Sequence, residues 1–165
     1  MSFHMHLRAT ATNQVPEDFP SLLAFMSAAW SAHQEEYAAG IADSIDKVFG
    51  HVHELYTMAV DDGDGTNTAN NLPIFGGRHL HSPAVDEPPI VILDPAEVRR
   101  TADFLRTLSF DDRWRIAERS LSAPYTGWED ENAARNIYLG HHNALRAFYQ
   151  RAARAGDAVV KAFWY

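Results

Sequence analysis

The stretch "FHMHLRAT", residues 3 to 10, alternates strictly between apolar and polar side chains. Its apolar members are Phe3, Met5 and Leu7. Such alternation is typical of a β-strand with one buried face. The stretch "DAVVKAFWY", residues 157 to 165, predicts a second strand at the far end of the sequence. We therefore expect an α+β, helix-rich fold whose small sheet includes the N- and C-terminal strands as neighbours, with helices packed on one side of it.

Two helices are predicted directly after the first strand. Residues 16 to 40 begin with proline and acidic start signals and end at Gly40, and their apolar residues recur at helical spacing. Residues 41 to 59 carry a second apolar stripe at the same spacing. The pattern predicts one long helix followed by another.

The stretch "PPIVILDPAEVRR", residues 88 to 100, predicts a short buried strand that leads into a helix. Asp94 is placed as the N-cap, Pro95 as the first helical residue, and Glu97 as the capping-box partner of Asp94. Residues 109 to 120 predict another short helix. A last long helix is predicted over residues 129 to 155, with Gly156 as its C-cap.

Length and composition restrict the class of protein. The 165 residues are the size of one domain with its own core, so we expect residues 1 to 165 to form a single domain. The sequence contains no cysteine, which excludes disulfides and thiolate metal ligands and favours a cytoplasmic location. The first twenty residues lack the pattern of a secretory leader, and no stretch is apolar enough to span a membrane.

The charge of the chain is acidic and unevenly distributed. The net charge is −8, with −10 in residues 1 to 94 and +2 in the remainder. A negative surface repels phosphate backbones, so nucleic acid is not expected as a partner. A protein with a basic surface is the kind of partner that this charge favours.

A polar stretch, "DDGDGTNTANN" at residues 61 to 71, predicts a mobile surface loop. It contains the acids and glycines of a calcium-binding loop. However, with Gly65 as the central glycine, Val60 and Asn71 occupy positions one and twelve, where oxygen ligands are required. A solvated loop is the better interpretation.

The histidines raise the question of a metal site. In "GHVHELYTM", residues 50 to 58, His51 and His53 lie on a predicted helix, where residues two apart point in nearly opposite directions. They cannot share one ion. The alternative is a site between helices formed by His33, His53 and His141, but no metal and no other cofactor is favoured.

Two further groups of residues are candidates for ligand binding. Asp46 and His53 project in similar directions on the predicted second helix, with Gly50 leaving a gap between them. A pocket for a small anion is the other candidate, with aromatic walls and one guanidinium group. Its residues would be Gly76, Gly77, Arg78, Tyr125 and Trp128.

The sequence contains no recognisable catalytic motif. It has no Gly-x-Ser-x-Gly elbow, and "FGGRH" lacks the fingerprint of a phosphate-binding loop. The leading hypothesis is thus a non-enzymatic binding or interaction domain of a regulatory or immunity-like kind. The alternatives are a metal-dependent enzyme with a histidine site between helices and a protein with a pocket for a small anion.

Four segments carry a resemblance to a known family. They are "SIDKVFGHVHEL", "FGGRHL", "VILDPAEVRRTADFLRTLSFDD" and "LRAFYQRAARAGDAVVKAF". In this order they resemble the YfbM-like family, a bacterial domain of unknown function, over about residues 44 to 164. The resemblance implies a compact α+β domain in a bacterial cytoplasm and carries over no catalytic residues. The chain departs from the family pattern at Phe49, where tryptophan is usual, and in the order of tyrosine and proline in "APYTGW".

Overall fold

The computed structural model describes residues 4–58, 68–84, 87–127, 129–130 and 132–164. Within them the strands are β1 (His4–Thr10), β2 (Ala42–Asp46), β3 (Arg78–Leu80), β4 (Ile90–Leu93) and β5 (Ala158–Trp164). The α-helices are α1 (Phe19–Ser31), α2 (His33–Ala39), α3 (Phe49–Thr57), α4 (Pro95–Thr107), α5 (Phe110–Leu121) and α6 (Ala133–Ala155). The fold is α+β with helices predominating, which confirms the predicted class.

The strands form one antiparallel sheet in the order β2-β1-β5-β4-β3. The two longest strands, β1 and β5, are neighbours at its centre. Their register runs without interruption from His4 opposite Trp164 to Thr10 opposite Ala158. The prediction that the first and last strands pair with each other is confirmed.

Helices cover both faces of the sheet. On the face that we call the inner face, Leu7, Ile45 and Val159 pack with α3, α4, α5 and α6 into a continuous apolar core. On the opposite, outer face, Leu22 of α1 packs in a second cluster with Val160 of β5. The expectation of helices on one side only was wrong, because the apolar stripe of α1 is itself buried against the sheet.

The long helix predicted over residues 16 to 40 is broken in two. Ala32 leaves the helical conformation, with φ −101° and ψ 14°, so α1 ends at Ser31 and α2 begins at His33. The break directs Glu36 of α2 toward Arg8 of β1, with which it forms an ion pair of 2.6 Å. The predicted stop at Gly40 is confirmed by its left-handed conformation, φ 70°.

Residues 42 to 46 form a strand rather than part of a helix, so this prediction was wrong. β2 pairs with the outer edge of β1, and α3 follows only at Phe49. Between them Lys47 has a positive φ of 31°, and the Val48 N–H donates to the Asp46 carbonyl. Ile41 and Ile45 fit helical spacing, but pairing with β1 satisfies the backbone hydrogen-bonding groups of the segment.

The remaining predictions agree closely with the structure. Asp94 and Glu97 form the complete capping box of α4, with Pro95 in its first turn. Gly156 ends α6 with φ 73°, although the helix begins at Ala133 rather than at residue 129. The predicted loop at 61–71 falls mainly on residues outside the described ranges. No helix within those ranges combines the length and apolar character that crossing a bilayer requires.

Candidate functional site

His51 and His53 diverge on α3, as helical geometry predicts. His51 Nδ1 lies 3.2 Å from the Tyr138 hydroxyl, on the side of α5 and α6. The His53 ring instead packs against Phe75, with 4.8 Å between ring centroids. Its Nδ1 is buried and has no partner among the described residues. The pair therefore cannot chelate one ion.

The structure does not bring His33, His53 and His141 together. His33 stacks on Trp30 at the outer face, at 4.8 Å between ring centroids, whereas His53 and His141 belong to helices on the inner face. Burial lowers the pKa of both His53 and His141. No three acidic or histidine side chains in the described ranges are grouped so that they could hold a metal ion.

A buried histidine of α6 was not singled out by the sequence interpretation. His142, rather than His141, is the buried histidine of α6, with 2% exposure. Its Nδ1 lies 3.2 Å from the Tyr56 hydroxyl, and burial lowers its pKa to about 4. The buried residues of α6 include Tyr138, His142 and Leu145, whereas His141 is half-buried.

Asp46 and His53 do not share a helix face, because Asp46 ends β2. Asp46 is exposed and lies opposite His4 in the register of β1. Its charge is close enough to act on His141, where it partly counters the lowering of the pKa by burial. The predicted groove beside Gly50 is therefore not formed by this pair of residues.

The residues of the predicted anion pocket are also separated. Arg78 is exposed at the edge strand β3 and borders a cleft with Asp94 and Glu97. Tyr125 packs against Tyr138, on the side of α3 that faces away from Phe75 and the two following glycines. Trp128 lies outside the described residues. The pocket predicted from these residues is not assembled as expected.

Gly76 and Gly77 have packing roles. The Gly76 carbonyl accepts a 2.7 Å hydrogen bond from Lys161 Nζ. Gly77 has φ 125°, and a Cβ there would lie 2.8 Å from the carbonyl oxygen of Ile92. Glycine is therefore required where this segment passes over β4.

Lys161 was missed by the sequence interpretation. It lies on the inner face of β5 with no exposed surface, and its Nζ donates to the carbonyls of Leu72 and Gly76 at 2.8 and 2.7 Å. Burial lowers its pKa well below the usual range, and Glu97 only partly opposes this effect. Side chains along a strand point alternately to the two faces of the sheet, and Lys161 lies on the same face as Val159 and Phe163. This spacing in the sequence could have indicated that Lys161 is buried.

The candidate functional site is a cleft beside β2, at the edge of the sheet that has no further strand within the described ranges. We call it the β2 cleft. It has a volume of about 530 Å³ and lies between the end of α2 and the last three turns of α6. Its lining residues are Tyr37, Gly40, Ala42, Asp43, Ala144, Ala147, Phe148, Arg151 and Arg154. A cleft of this size accommodates a small organic molecule.

Asp43 is the acidic group of the β2 cleft. Its Oδ1 accepts a 2.9 Å hydrogen bond from the backbone N–H of Ser44. Its Oδ2 is buried and has no hydrogen-bond partner among the described residues. Burial raises the pKa of this carboxyl group to about 6. A carboxyl group with a raised pKa at a cleft is a recognised mark of a functional site.

Arg151 and Arg154 supply positive charge to the same cleft. They are exposed and three residues apart near the end of α6. The Arg151 side chain lies across Gly40, where an added Cβ would be 3.1 Å from its Cδ. In the part of the chain that the structure describes, neither arginine has an ion-pair partner. Both guanidinium groups are thus available to an anion.

Tyr37 joins the β2 cleft to a histidine cluster on the outer face. Its hydroxyl lies 3.3 Å from His6 Nδ1. His6 is fully buried, and its pKa is lowered to about 4 by burial, with smaller contributions from His4 and His33. A neutral His6 keeps the Tyr37 hydroxyl in a fixed hydrogen bond at the wall of the cleft.

The fold and the cleft together define an α+β protein with an antiparallel sheet, helices on both faces and an open polar site at one edge. Residues 4–161 match the family model described as "Domain of unknown function (DUF1877)". The chain belongs to this family.

One solved structure extends this result. The crystal structure of a protein of unknown function, YfbM from Escherichia coli, is similar with a TM-score of 0.57 and 14% sequence identity. The match covers 98% of this chain and 99% of that chain. At this identity the likeness shows the fold alone, and it agrees with the YfbM-like resemblance of the sequence. No curated protein matches the chain at a significant level.

Proposed function

We propose that this protein binds a small anionic molecule in the β2 cleft. The observation that carries the proposal is that Arg151 and Arg154 line one cleft without ion-pair partners in the described ranges. Arginine binds carboxylate, phosphate and sulfonate groups through paired hydrogen bonds. An anion would supply the negatively charged hydrogen-bond acceptors that the described residues do not provide to these two side chains.

The proposal keeps the anion-binding alternative from the sequence but relocates it. The predicted guanidinium was Arg78, which instead faces the carboxylates of Asp94 and Glu97 across a cleft. Those acids make that cleft a poor site for an anion. In an acidic protein, the arginine pair of the β2 cleft is a local region of positive charge, which attracts anions over short range.

Binding rather than catalysis is the function that this cleft supports best. Its lining residues include no serine, threonine, cysteine or histidine that could act as a nucleophile. Asp43 and Tyr37 are the lining residues that can exchange protons, and no lysine, histidine or second carboxyl group accompanies them among the lining residues. A binding role also agrees with the sequence-based hypothesis of a non-enzymatic domain.

Calorimetric titration of the purified protein with phosphate, sulfate, citrate and acetate tests the proposal. We expect at least one anion to bind in the millimolar range or tighter. The double substitution Arg151→Gln and Arg154→Gln should weaken binding about tenfold or more, since charged hydrogen bonds are lost. Arg106→Gln, which removes an exposed arginine paired with Asp103 on α4, is the matched control. Equal binding by the double variant and the control would contradict the proposal.

The hypothesis of a protein partner with a basic surface stays a prediction. It is supported by the acidic net charge of −8 rather than by a particular surface. Affinity capture from native cell extract at low and high salt tests it. Electrostatic complementarity requires a partner that is retained at low salt and released at high salt.

A further inference from the structure

The β2 cleft carries positive charge on the side formed by α6 and a carboxyl group on the side formed by β2. Arg151 and Arg154 come from α6, whereas Asp43 comes from β2. A ligand with negative charge alone would meet repulsion from the Asp43 carboxylate whenever that group is ionised. A ligand with charges of both signs would be complementary to both walls.

The hydrogen bonds of Asp43 show which kind of group is missing. A carboxylate accepts several hydrogen bonds, yet the Ser44 N–H is the donor that the described residues supply to Asp43. Oδ2 is buried and has no hydrogen-bond donor within the described ranges. Asp43 is also one of the residues that line the cleft, so the cleft is the place from which a ligand could supply a donor to this carboxylate.

We propose that the ligand of the β2 cleft is a small zwitterion, whose anionic end binds Arg151 and Arg154 and whose protonated amine donates hydrogen bonds to Asp43. This inference rests on the proposed function, because it adds a second recognition group to the same site. The wall between the charged groups is apolar and is formed by Ala144, Ala147 and Phe148. A short hydrocarbon spacer between the amine and the anion matches that wall.

The other titratable groups that face Asp43 are neutral tyrosines. They are Tyr37 from α2, Tyr56 from α3 and Tyr149 from α6, and burial raises the pKa of each. Among the residues that line the cleft, Arg151 and Arg154 are the other charged groups. Asp43 is therefore the group whose ionisation changes the charge of the cleft between pH 5 and pH 8.

The test compares two series of ligands by calorimetric titration of the full chain. One series is aminoalkylsulfonates with two to four carbon atoms between the amine and the sulfonate. The other is alkylsulfonates of the same lengths. Sulfonates keep a single negative charge across the pH range, so a difference within a pair reports the amine. A third series with trimethylated nitrogen keeps the positive charge but removes the N–H donors.

We expect the aminoalkylsulfonate of the best length to bind at least tenfold more tightly than its alkylsulfonate partner. Trimethylation should remove most of this preference. The preference should vanish in Asp43→Asn, which keeps the size of the side chain and removes its charge. Binding should also weaken about tenfold from pH 8 to pH 5, because the amine must then displace the proton of Asp43.

Several results would overturn the inference. Equal affinities for the two series, with both lost in the double arginine variant, would leave anion binding intact and exclude the zwitterion. A preference for the amine that survives in Asp43→Asn would exclude Asp43 as its partner. Absence of binding by all three series would exclude the zwitterion. The titrations with phosphate, sulfate, citrate and acetate would then show separately whether the cleft binds an anion. The comparison between series needs no variant, so a folding defect of Asp43→Asn does not affect it.

Discussion

A lysine side chain ordinarily keeps its ammonium group in water, whereas Lys161 is fully buried on β5. Its Nζ has two acceptors, the carbonyls of Leu72 and Gly76. A neutral amine has two N–H bonds and therefore matches these acceptors, while a third proton would have no acceptor among them. Lys161 thus links β5 to residues 72–76, and its burial favours the neutral form of the amine.

Replacement of Lys161 by methionine should change how stability depends on pH. In the window between its lowered folded pKa and 10.5, the unfolded chain binds the extra proton, so raising the pH stabilises the native protein. Measured from pH 7 to pH 9, the free energy of unfolding of the wild type should rise relative to that of Lys161→Met wherever the pH exceeds the folded pKa of Lys161, by up to about 1.4 kcal/mol per pH unit. Urea denaturation at three pH values measures it.

The difference between the two proteins removes contributions from the tyrosines and other groups that they share. A constant difference over the same range would show that Lys161 is protonated in both folded and unfolded states. The neutral-amine description of its two hydrogen bonds would then be incorrect.

At the level of elements, local signals predicted part of the fold correctly. β1 was predicted because its apolar and polar residues alternate, and β5 because its short, mostly apolar run is typical of a buried strand. α4 was predicted almost to the residue because Asp94, Pro95 and Glu97 are adjacent in sequence and define its start. These features need no knowledge of what packs against them.

The elements that were missed depend on tertiary contacts. β2 and β3 are edge strands of five and three residues, too short for their periodicity to be decisive. The break at Ala32 serves contacts such as that of Glu36 with Arg8, twenty-eight residues away. The β2 cleft was missed for the same reason, because Asp43 and Arg151 come from distant segments and Asp43 was assigned to a helix.

Gly77→Ala should destabilise the passage of the chain over β4. Alanine at φ 125° is strained, and its Cβ would lie 2.8 Å from the Ile92 carbonyl oxygen and 2.9 Å from Val91 Cγ1. We expect a loss of about 2 to 4 kcal/mol in free energy of unfolding. Gly127→Ala is the matched control, since Gly127 has φ 92° with no neighbour within 4 Å. Equal losses in a denaturation experiment would assign the whole effect to backbone strain.

At the scale of the whole molecule, two buried histidines make the folded protein less stable at low pH. Burial lowers the pKa of His6 and of His142 from 6.5 to about 4. Between these values the unfolded chain binds more protons than the native protein, so stability falls as the pH falls. Asp43 acts in the opposite direction between 3.8 and about 6, because its pKa is raised in the folded state. The two histidines outweigh the single carboxyl group.

We expect the melting temperature to fall steadily from pH 7 to pH 4.5. Each unit by which a pKa is lowered in the folded protein corresponds to about 1.4 kcal/mol. Each of the two histidines therefore lowers the free energy of unfolding by about 3 kcal/mol once it is protonated in both states. His142→Asn should flatten the pH profile, and His81→Asn, which changes an exposed histidine, is the control. Differential scanning calorimetry at matched ionic strength measures the profiles. Parallel profiles for wild type and His142→Asn would show that His142 does not titrate with unfolding.

The position of β5 in the sheet affects the order in which the protein can be assembled during translation. β5 lies between β1 and β4 in the sheet and leaves the ribosome after both of them. Until residues 158–164 have emerged from the exit tunnel, β1 and β4 each lack a central partner, and their unpaired edges are open to association with other nascent chains. The sheet can therefore be completed only after β5 has been synthesised. We expect the nascent chain to be most prone to aggregation before β5 pairs with β1 and β4.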